Sequence, residues 1–402
     1  MFWIDRIAHR VVDRLFHSLA NGALIVRDGD RERRYGDAGA PAVTLTVHDQ
    51  RFYGSLAFGG SLGASEAYMD GWWSTDDLTG VVRLVARHRD MMANMESGAN
   101  WLVGPMRRVA HFLNRNSRGG SRRNIAAHYD LSNEFFSLML DDTMAYSCGV
   151  FEHPEATLRE ASIAKFDRMI ALLDVRAEHH VLEIGTGWGG FAVYLAQTVG
   201  CRVTTTTISR EQWELATKRV LDAGLSDRIE VVLKDYRDLV GSFDRVVSIE
   251  MIEAVGHAYY RTFFERCAAL LTPDGKMALQ SITVEDRRYD SQRQSVDFIK
   301  KHIFPGSNIP SVAVLLGACA TTDLRLTHAN EIGLHYADTL RAWRERIFAS
   351  ADQVRALGFD DRFMRMWEFY LCYTEGGFLE SAIGDVQLAF AKPAAIAGAA
   401  RR

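Results

Sequence analysis

His180-Val181-Leu182-Glu183-Ile184-Gly185-Thr186-Gly187-Trp188-Gly189-Gly190 is the segment from which the architecture can be read. Its first five residues form a short β-rich run, and an apolar helical pattern resumes at Phe191, so the glycines fall between a strand and a helix. Glycine permits the tight turn and lets a ligand approach the backbone. In an open α/β sheet this strand end is where ligands bind. A glycine-rich loop of this kind also fits dinucleotide enzymes, so alone it leaves the ligand open.

Further β-rich runs follow at 202–207, 229–233, 243–248 and 276–280, separated by segments of helical periodicity. That alternation predicts an α/β domain with a mostly parallel sheet flanked by helices. The second run ends Thr204-Thr205-Thr206-Thr207-Ile208, and Ser209-Arg210-Glu211-Gln212 reads as a helix capping box. A dinucleotide site would place an acid at this strand end to hold a ribose hydroxyl. No acid stands there, so NAD binding loses support.

Upstream, Ile4, Ile7, Val11, Leu15 and Leu19 form one stripe of a helix over 3–19, with charges on the other face. Such a helix lies on a membrane or, as amphipathic helices more often do, packs on its own domain. Residues 22–60 carry turn clusters between short runs such as 43–47 and 51–56, which read as strands of a small sheet. Helical spacing returns over 64–95 and again from Trp101 to Phe112. Arg115-Asn116-Ser117-Arg118-Gly119-Gly120-Ser121-Arg122-Arg123 is the best linker candidate. The expected organisation is therefore an N-terminal α+β domain over 1–114, a linker over 115–123, the α/β domain over 124–393 and a flexible tail over 394–402.

The net charge of −4 is uneven. Residues 1–123 carry 17 Arg and no Lys against 13 acids, and no acid lies between Glu96 and Asp130. Arg107, Arg108, Arg115, Arg118, Arg122 and Arg123 all fall in that interval. A basic face on an otherwise acidic chain suits an anionic partner, and a solvated linker fits it equally well. The 5 cysteines are scattered with no CxxC pair, which indicates neither a disulfide framework nor a zinc site; a reducing cytoplasmic setting is expected. No apolar stretch approaches the roughly 18 residues of a spanning helix.

Several separated motifs then combine. His128-Tyr129-Asp130-Leu131-Ser132-Asn133-Glu134-Phe135-Phe136, Tyr146-Ser147-Cys148-Gly149, Leu182 to Gly190, Thr207 to Gln212, Glu250-Met251-Ile252-Glu253-Ala254-Val255-Gly256-His257, Ile303 to Gly306 and His335 to Leu340 resemble the cyclopropane fatty acid synthase family in order and spacing. The resemblance is close over 122–392 and looser upstream, through Glu66 to Trp73. It implies a Rossmann-like class I S-adenosylmethionine methyltransferase domain behind a smaller N-terminal α+β domain. By matching motifs it implies a cofactor site at Tyr129, Tyr146, Ser147, Gly185, Gly187, Thr207 and Gln212, with Tyr236 and Arg237 on the cofactor side. It further implies a bound bicarbonate held by Cys148, Glu253, Gln280, Ile282 and Tyr336, with no metal. Gln280 stands where members of the family most often carry His. Its amide can donate a hydrogen bond but cannot carry a proton.

The implied reaction is transfer of the S-adenosylmethionine methyl carbon to a double bond of an unsaturated phospholipid chain. The cation left on the chain must be kept from water. Aromatic faces can stabilise it, and a base must take a proton. Loss from the transferred methyl closes a cyclopropane; loss from the chain leaves a branched alkene. The resemblance thus implies a cyclopropane-fatty-acyl-phospholipid synthase with bicarbonate as base, lying peripherally on the inner face of the membrane through the six arginines, with a homodimer left open. Its rivals are a fatty-acid C-methyltransferase giving methyl- or methylene-branched lipid and a non-catalytic lipid-binding relative. A nucleic-acid partner is not expected, because the second half is acidic and carries no base-reading module.

Overall fold

A computed structural model describes residues 3–88 and 131–399, and the described residues divide into two compact units. The first holds residues 3–88, 294–303 and 343–382; the second holds 131–293, 304–342 and 383–399. Segments 294–303 and 343–382, which chain order alone assigns to the α/β domain, therefore pack in the N-terminal unit.

In the first unit, helix Trp3–His17 precedes strands β1 (Ala23–Asp28), β2 (Arg31–Gly36), β3 (Ala42–Val47) and β4 (Trp73–Thr75). The sheet runs β2-β1-β3-β4, with only the β1–β3 pair parallel. Ala8, Val12, Leu15 and Phe16 are buried, so the amphipathic helix packs on its own unit. The 51–56 run is not a strand. It opens helix Arg51–Met69, in which Phe52, Tyr53 and Leu56 are buried at helical spacing. The aromatics that suggest a strand here serve a helix face instead, an override of local propensity by packing. That helix kinks at Gly60, whose φ of 59° suits glycine. The helical reading of 64–95 is likewise interrupted by β4 before helix Leu78–Arg87 begins at its Asp77 cap. Helix Asp361–Leu379 packs on both Arg51–Met69 and Leu78–Arg87.

The second unit is built on one seven-stranded sheet. Its strands are β5 (His180–Ile184), β6 (Arg202–Thr207), β7 (Ile229–Leu233), β8 (Phe243–Ile249), β9 (Leu271–Val284), β10 (Arg325–Glu331) and β11 (Ile383–Ala391). The order is β10-β11-β9-β8-β5-β6-β7, parallel from β9 to β7, with β11 and β10 added antiparallel. Successive residues of a strand face opposite sides. Val181 and Val247 pack with Phe166, Leu195 and Val203 in one apolar cluster, while Leu182 and Val246 pack with Phe263, Leu279 and Leu388 in another. Both faces are buried, which is why these strands read as nearly continuous β-rich runs. Strand order reverses at β5, between β6 and β8, so the crevice at their carboxyl ends is the natural ligand site. Beyond β11 the chain continues as helix Pro393–Ala399, so order reaches further into the expected flexible tail than 394.

Candidate active site

The loop after β5 is shaped by three left-handed glycines, Gly185, Gly187 and Gly189, with φ of 104°, 52° and 84°. The Gly185 and Thr186 amides donate to the Thr206 carbonyl at 3.0 and 3.1 Å, tying the loop to β6. A Cβ on Gly187 would meet nothing within 4 Å, so its backbone is open to a ligand. Gly190 is the opposite case. A Cβ there would stand 2.0 Å from the Thr143 carbonyl oxygen, so close packing requires glycine. Trp188 is buried and its indole donates to Asn133 at 2.7 Å, while Arg219 donates to the carbonyls of Asp142, Thr143 and Trp188.

Beneath the loop lies Glu183, buried on β5. Its Oε2 and the Thr186 hydroxyl both contact the Thr205 hydroxyl, at 2.5 and 2.7 Å. Burial pushes Glu183 up to about 8. At the end of β6, Thr207 donates to the Gln212 side chain at 2.8 Å, and Ser209 caps the following helix. Ser147 accepts a 2.6 Å hydrogen bond from Lys165, a fully buried lysine whose pKa burial lowers. The Tyr146 ring lies tilted against those of Phe136 and Phe304, with centroids 5.4 and 6.2 Å away. Arg237 is committed to Asp235 at 2.6 Å and lies over the rings of Tyr236 and Tyr259. Tyr129, Arg107, Arg108, Arg115, Arg118, Arg122 and Arg123 lie outside the described residues, as does the proposed linker.

The five residues that the resemblance assigns to bicarbonate do gather at the carboxyl ends of β8 and β9, around two carboxylates rather than one. Glu253 accepts from Ser281 Oγ at 2.9 Å and from the Ile282 amide at 2.7 Å, while its Oε2 is shut from solvent and accepts nothing. Burial first, then neighbouring Glu250, pushes Glu253 up to about 8, so it is mostly protonated at neutral pH. Cys148, Gln280 and Tyr336 turn to Glu250 instead. The Cys148 amide and the Gln280 side chain donate to Oε1 at 2.8 and 2.7 Å, and the Tyr336 hydroxyl donates to Oε2 at 2.6 Å. Gln280 is oriented by Gln387, which donates to its Oε1 at 3.0 Å. Burial first, then neighbouring Glu250, holds the fully buried Asp385 well above the usual carboxylate range, and its Oδ2 accepts from the Gln280 side chain at 3.2 Å. Burial also raises the Cys148 thiol, which donates to the Gly149 carbonyl at 3.1 Å.

Glu250 and Asp385 are the residues that sequence reasoning missed. Glu250 opens a motif quoted for the resemblance, two residues after the β-rich run 243–248, which was the available signal. Asp385 carried none. Among the described residues no group of three or more His, Cys, Asp or Glu is arranged to hold a metal ion.

A seven-stranded, mostly parallel sheet with a glycine loop at its switch point is the class I S-adenosylmethionine-dependent methyltransferase fold. The family model described as mycolic acid cyclopropane synthetase matches residues 116–388, and the chain belongs to that family of S-adenosylmethionine-dependent, lipid-modifying enzymes. It is 41% identical over 329 residues to the tuberculostearic acid methyltransferase UfaA1 of Mycobacterium tuberculosis, covering 79% of this chain and 76% of that one. It is 34% identical over 357 residues to the cyclopropane-fatty-acyl-phospholipid synthase of Escherichia coli, covering 88% and 89%. Its fold matches the mycolic acid cyclopropane synthase CmaA1 complexed with SAH and CTAB, at a TM-score of 0.62 and 30% identity over 67% of this chain and 98% of that one.

Proposed function

We propose that this enzyme adds the methyl carbon of S-adenosylmethionine to a double bond of an unsaturated phospholipid acyl chain, and that proton loss leaves a branched alkene carrying the new carbon as a methyl or methylene branch. The observation that carries the class is the open, left-handed glycine loop over β5, whose Gly187 backbone fits close approach of the cofactor. When bound, S-adenosylmethionine supplies an electrophilic methyl carbon. The loop, Thr207 and Gln212 bind and orient it, and Lys165 fixes the Ser147 hydroxyl beside it. The branched outcome is supported by the 41% likeness to a tuberculostearic acid methyltransferase, and the cyclopropane reading by the 34% likeness to a cyclopropane synthase.

Bicarbonate does not fit the site as it stands. The amide, hydroxyl and side-chain donors that would hold it are spent on Glu250, and a second anion beside that carboxylate would meet like charge. The substrate is reached at the surface of an anionic bilayer, where each basic residue contributes about 1 kcal/mol; Arg107, Arg108, Arg115, Arg118, Arg122 and Arg123 are proposed for that contact. No helix among the described residues is long and apolar enough to cross a membrane.

The test is lipid analysis of cells expressing the chain. Unsaturated chains should gain one carbon. Ozonolysis should cleave a methylene product, whereas a cyclopropane survives it. Intact products of equal mass would favour the cyclopropane reading, and unmodified lipids would overturn both.

A further inference from the structure

Resting on the lipid-alkylation reading above, we infer that Glu250 is the base of this reaction, a carboxylate built into the chain in the place the family resemblance gives to bicarbonate. Three donors from separate parts of the second unit converge on it: the Cys148 amide, the Gln280 side chain and the Tyr336 hydroxyl, all at 2.6–2.8 Å. Donors aimed at one point are how a protein holds an oxyanion, and here the oxyanion is its own side chain. Neighbouring Glu253 does not compete for these donors, because it faces Ser281 and the Ile282 amide.

The backbone is held to this arrangement. Glu250 is one of the few described non-glycine residues with positive φ, 49°, a conformation that costs an L-residue roughly 1–2 kcal/mol. Its amide donates to the Gln280 carbonyl at 2.9 Å, which fixes β8 against β9 at that point. Strain kept at a crevice points to use. The crevice is the right one. Ser248, two residues earlier, donates to the Ile184 carbonyl at 2.9 Å, and Met251, one residue later, is the side chain a Cβ on Gly185 would touch at 3.1 Å. Glu250 therefore sits one residue from the loop that presents the methyl group.

The step balances without any added group. Once the methyl carbon is bonded to the chain, the adjacent chain carbon is cationic. One proton leaves the new methyl for a Glu250 oxygen, and the C–H electron pair either closes the ring or, after a hydride shift along the chain, forms the exocyclic double bond. Glu250, now neutral, returns the proton to solvent. A proton beside a cationic carbon is strongly acidic, so a carboxylate is base enough even with its lone pairs engaged.

The experiment measures lipid alkylation and S-adenosylhomocysteine release by the full chain on unsaturated phospholipid vesicles, in carbon-dioxide-free buffer and with added bicarbonate. Wild type should change by less than about twofold between the buffers. Glu250→Gln should lose about 100-fold or more in alkylation while its S-adenosylmethionine affinity, read by calorimetry, is unchanged. Glu250→Gly suits the positive φ and should fold. It should be as inactive as Glu250→Gln in anion-free buffer and recover about tenfold or more with formate or bicarbonate, a rescue that a merely structural role would not give. Wild type that dies without bicarbonate, or Glu250→Gly that works without any added anion, overturns the inference. Wild type that alkylates no unsaturated lipid in either buffer overturns the substrate reading first and this one with it, whereas loss only on depletion spares the substrate reading.

Discussion

Replacing Glu183 with Gln should change how the stability of the catalytic unit depends on pH. Glu183 is buried under the glycine loop, and burial raises it from 4.5 to about 8. Between those values the folded protein keeps a proton that the unfolded chain has released. Stability therefore falls as pH rises through that window, by up to about 1.4 kcal/mol per pH unit for this group, and the loss is complete only above about pH 8. Below pH 4.5 both states are protonated and the group contributes no slope. Glu183→Gln keeps the size and the contact to Thr205 but has no proton to lose. From pH 5.5 to 7.5 the variant should gain on wild type by roughly 2–3 kcal/mol. Urea unfolding at several pH values, followed by tryptophan fluorescence, reads this directly. Glu253, raised to about 8 by burial and by Glu250, contributes a slope of the same sign in both proteins and cancels in the difference. Parallel pH profiles for wild type and variant would refute the assignment of a proton to Glu183.

Other outcomes follow from the packing. Gly190→Ala should destabilise the catalytic unit by about 1–3 kcal/mol in thermal unfolding, because its Cβ meets the Thr143 carbonyl. Gly187→Ala should cost only about 1 kcal/mol of left-handed strain, yet weaken S-adenosylmethionine binding in calorimetry by filling the open approach. In the first unit Glu375→Ala should cost about 3 kcal/mol or more in a melt of the whole chain, since buried Glu375 is the partner of Arg344 and accepts from Thr79 at 2.9 Å. Binding to anionic vesicles should weaken as salt rises, and replacing Arg107, Arg108, Arg115, Arg118, Arg122 and Arg123 by Gln should reduce it in a sedimentation assay; unchanged binding would remove these arginines from the membrane contact.

Strands β5, β6 and β8 were legible because burial on both faces leaves an uninterrupted β-rich run, and the half-exposed edge strand β7 still shows through its β-branched Ile229, Val231 and Val232. The antiparallel additions β10 and β11 were not. Strand β10 is largely exposed, and its Arg325-Leu326-Thr327-His328-Ala329-Asn330-Glu331 reads as polar loop. The 51–56 run was misread for the complementary reason: Phe52 and Tyr53 favour strands locally, and only the buried positions further along Arg51–Met69 show the helical period. The placement of 294–303 and 343–382 with the N-terminal unit lay beyond any local signal. Helix Asp361–Leu379 has to find Leu78–Arg87 across almost 300 residues of chain, and pairs such as Tyr68 with Glu368 at 2.6 Å leave no periodic trace.

The site divides along the same line. Its loop was legible because glycines that must adopt positive φ leave a spacing, and Gly185, Gly187 and Gly189 do so. The place of Glu250 was not, since it sits in one motif with Glu253 and carries the same functional group. What separates them is backbone conformation and register. Glu250 takes a φ of 49° at the end of β8, opposite Gln280, and so swings its carboxylate toward Cys148 and Tyr336. Glu253, three residues on in a short 3-10 turn, meets Ser281 and the Ile282 amide. A left-handed glutamate has no sequence signature, because the residue expected at such a φ is glycine. Glu250 was therefore hidden at a position where the sequence breaks its own local rule, which is where a functional constraint is expected to override local preference.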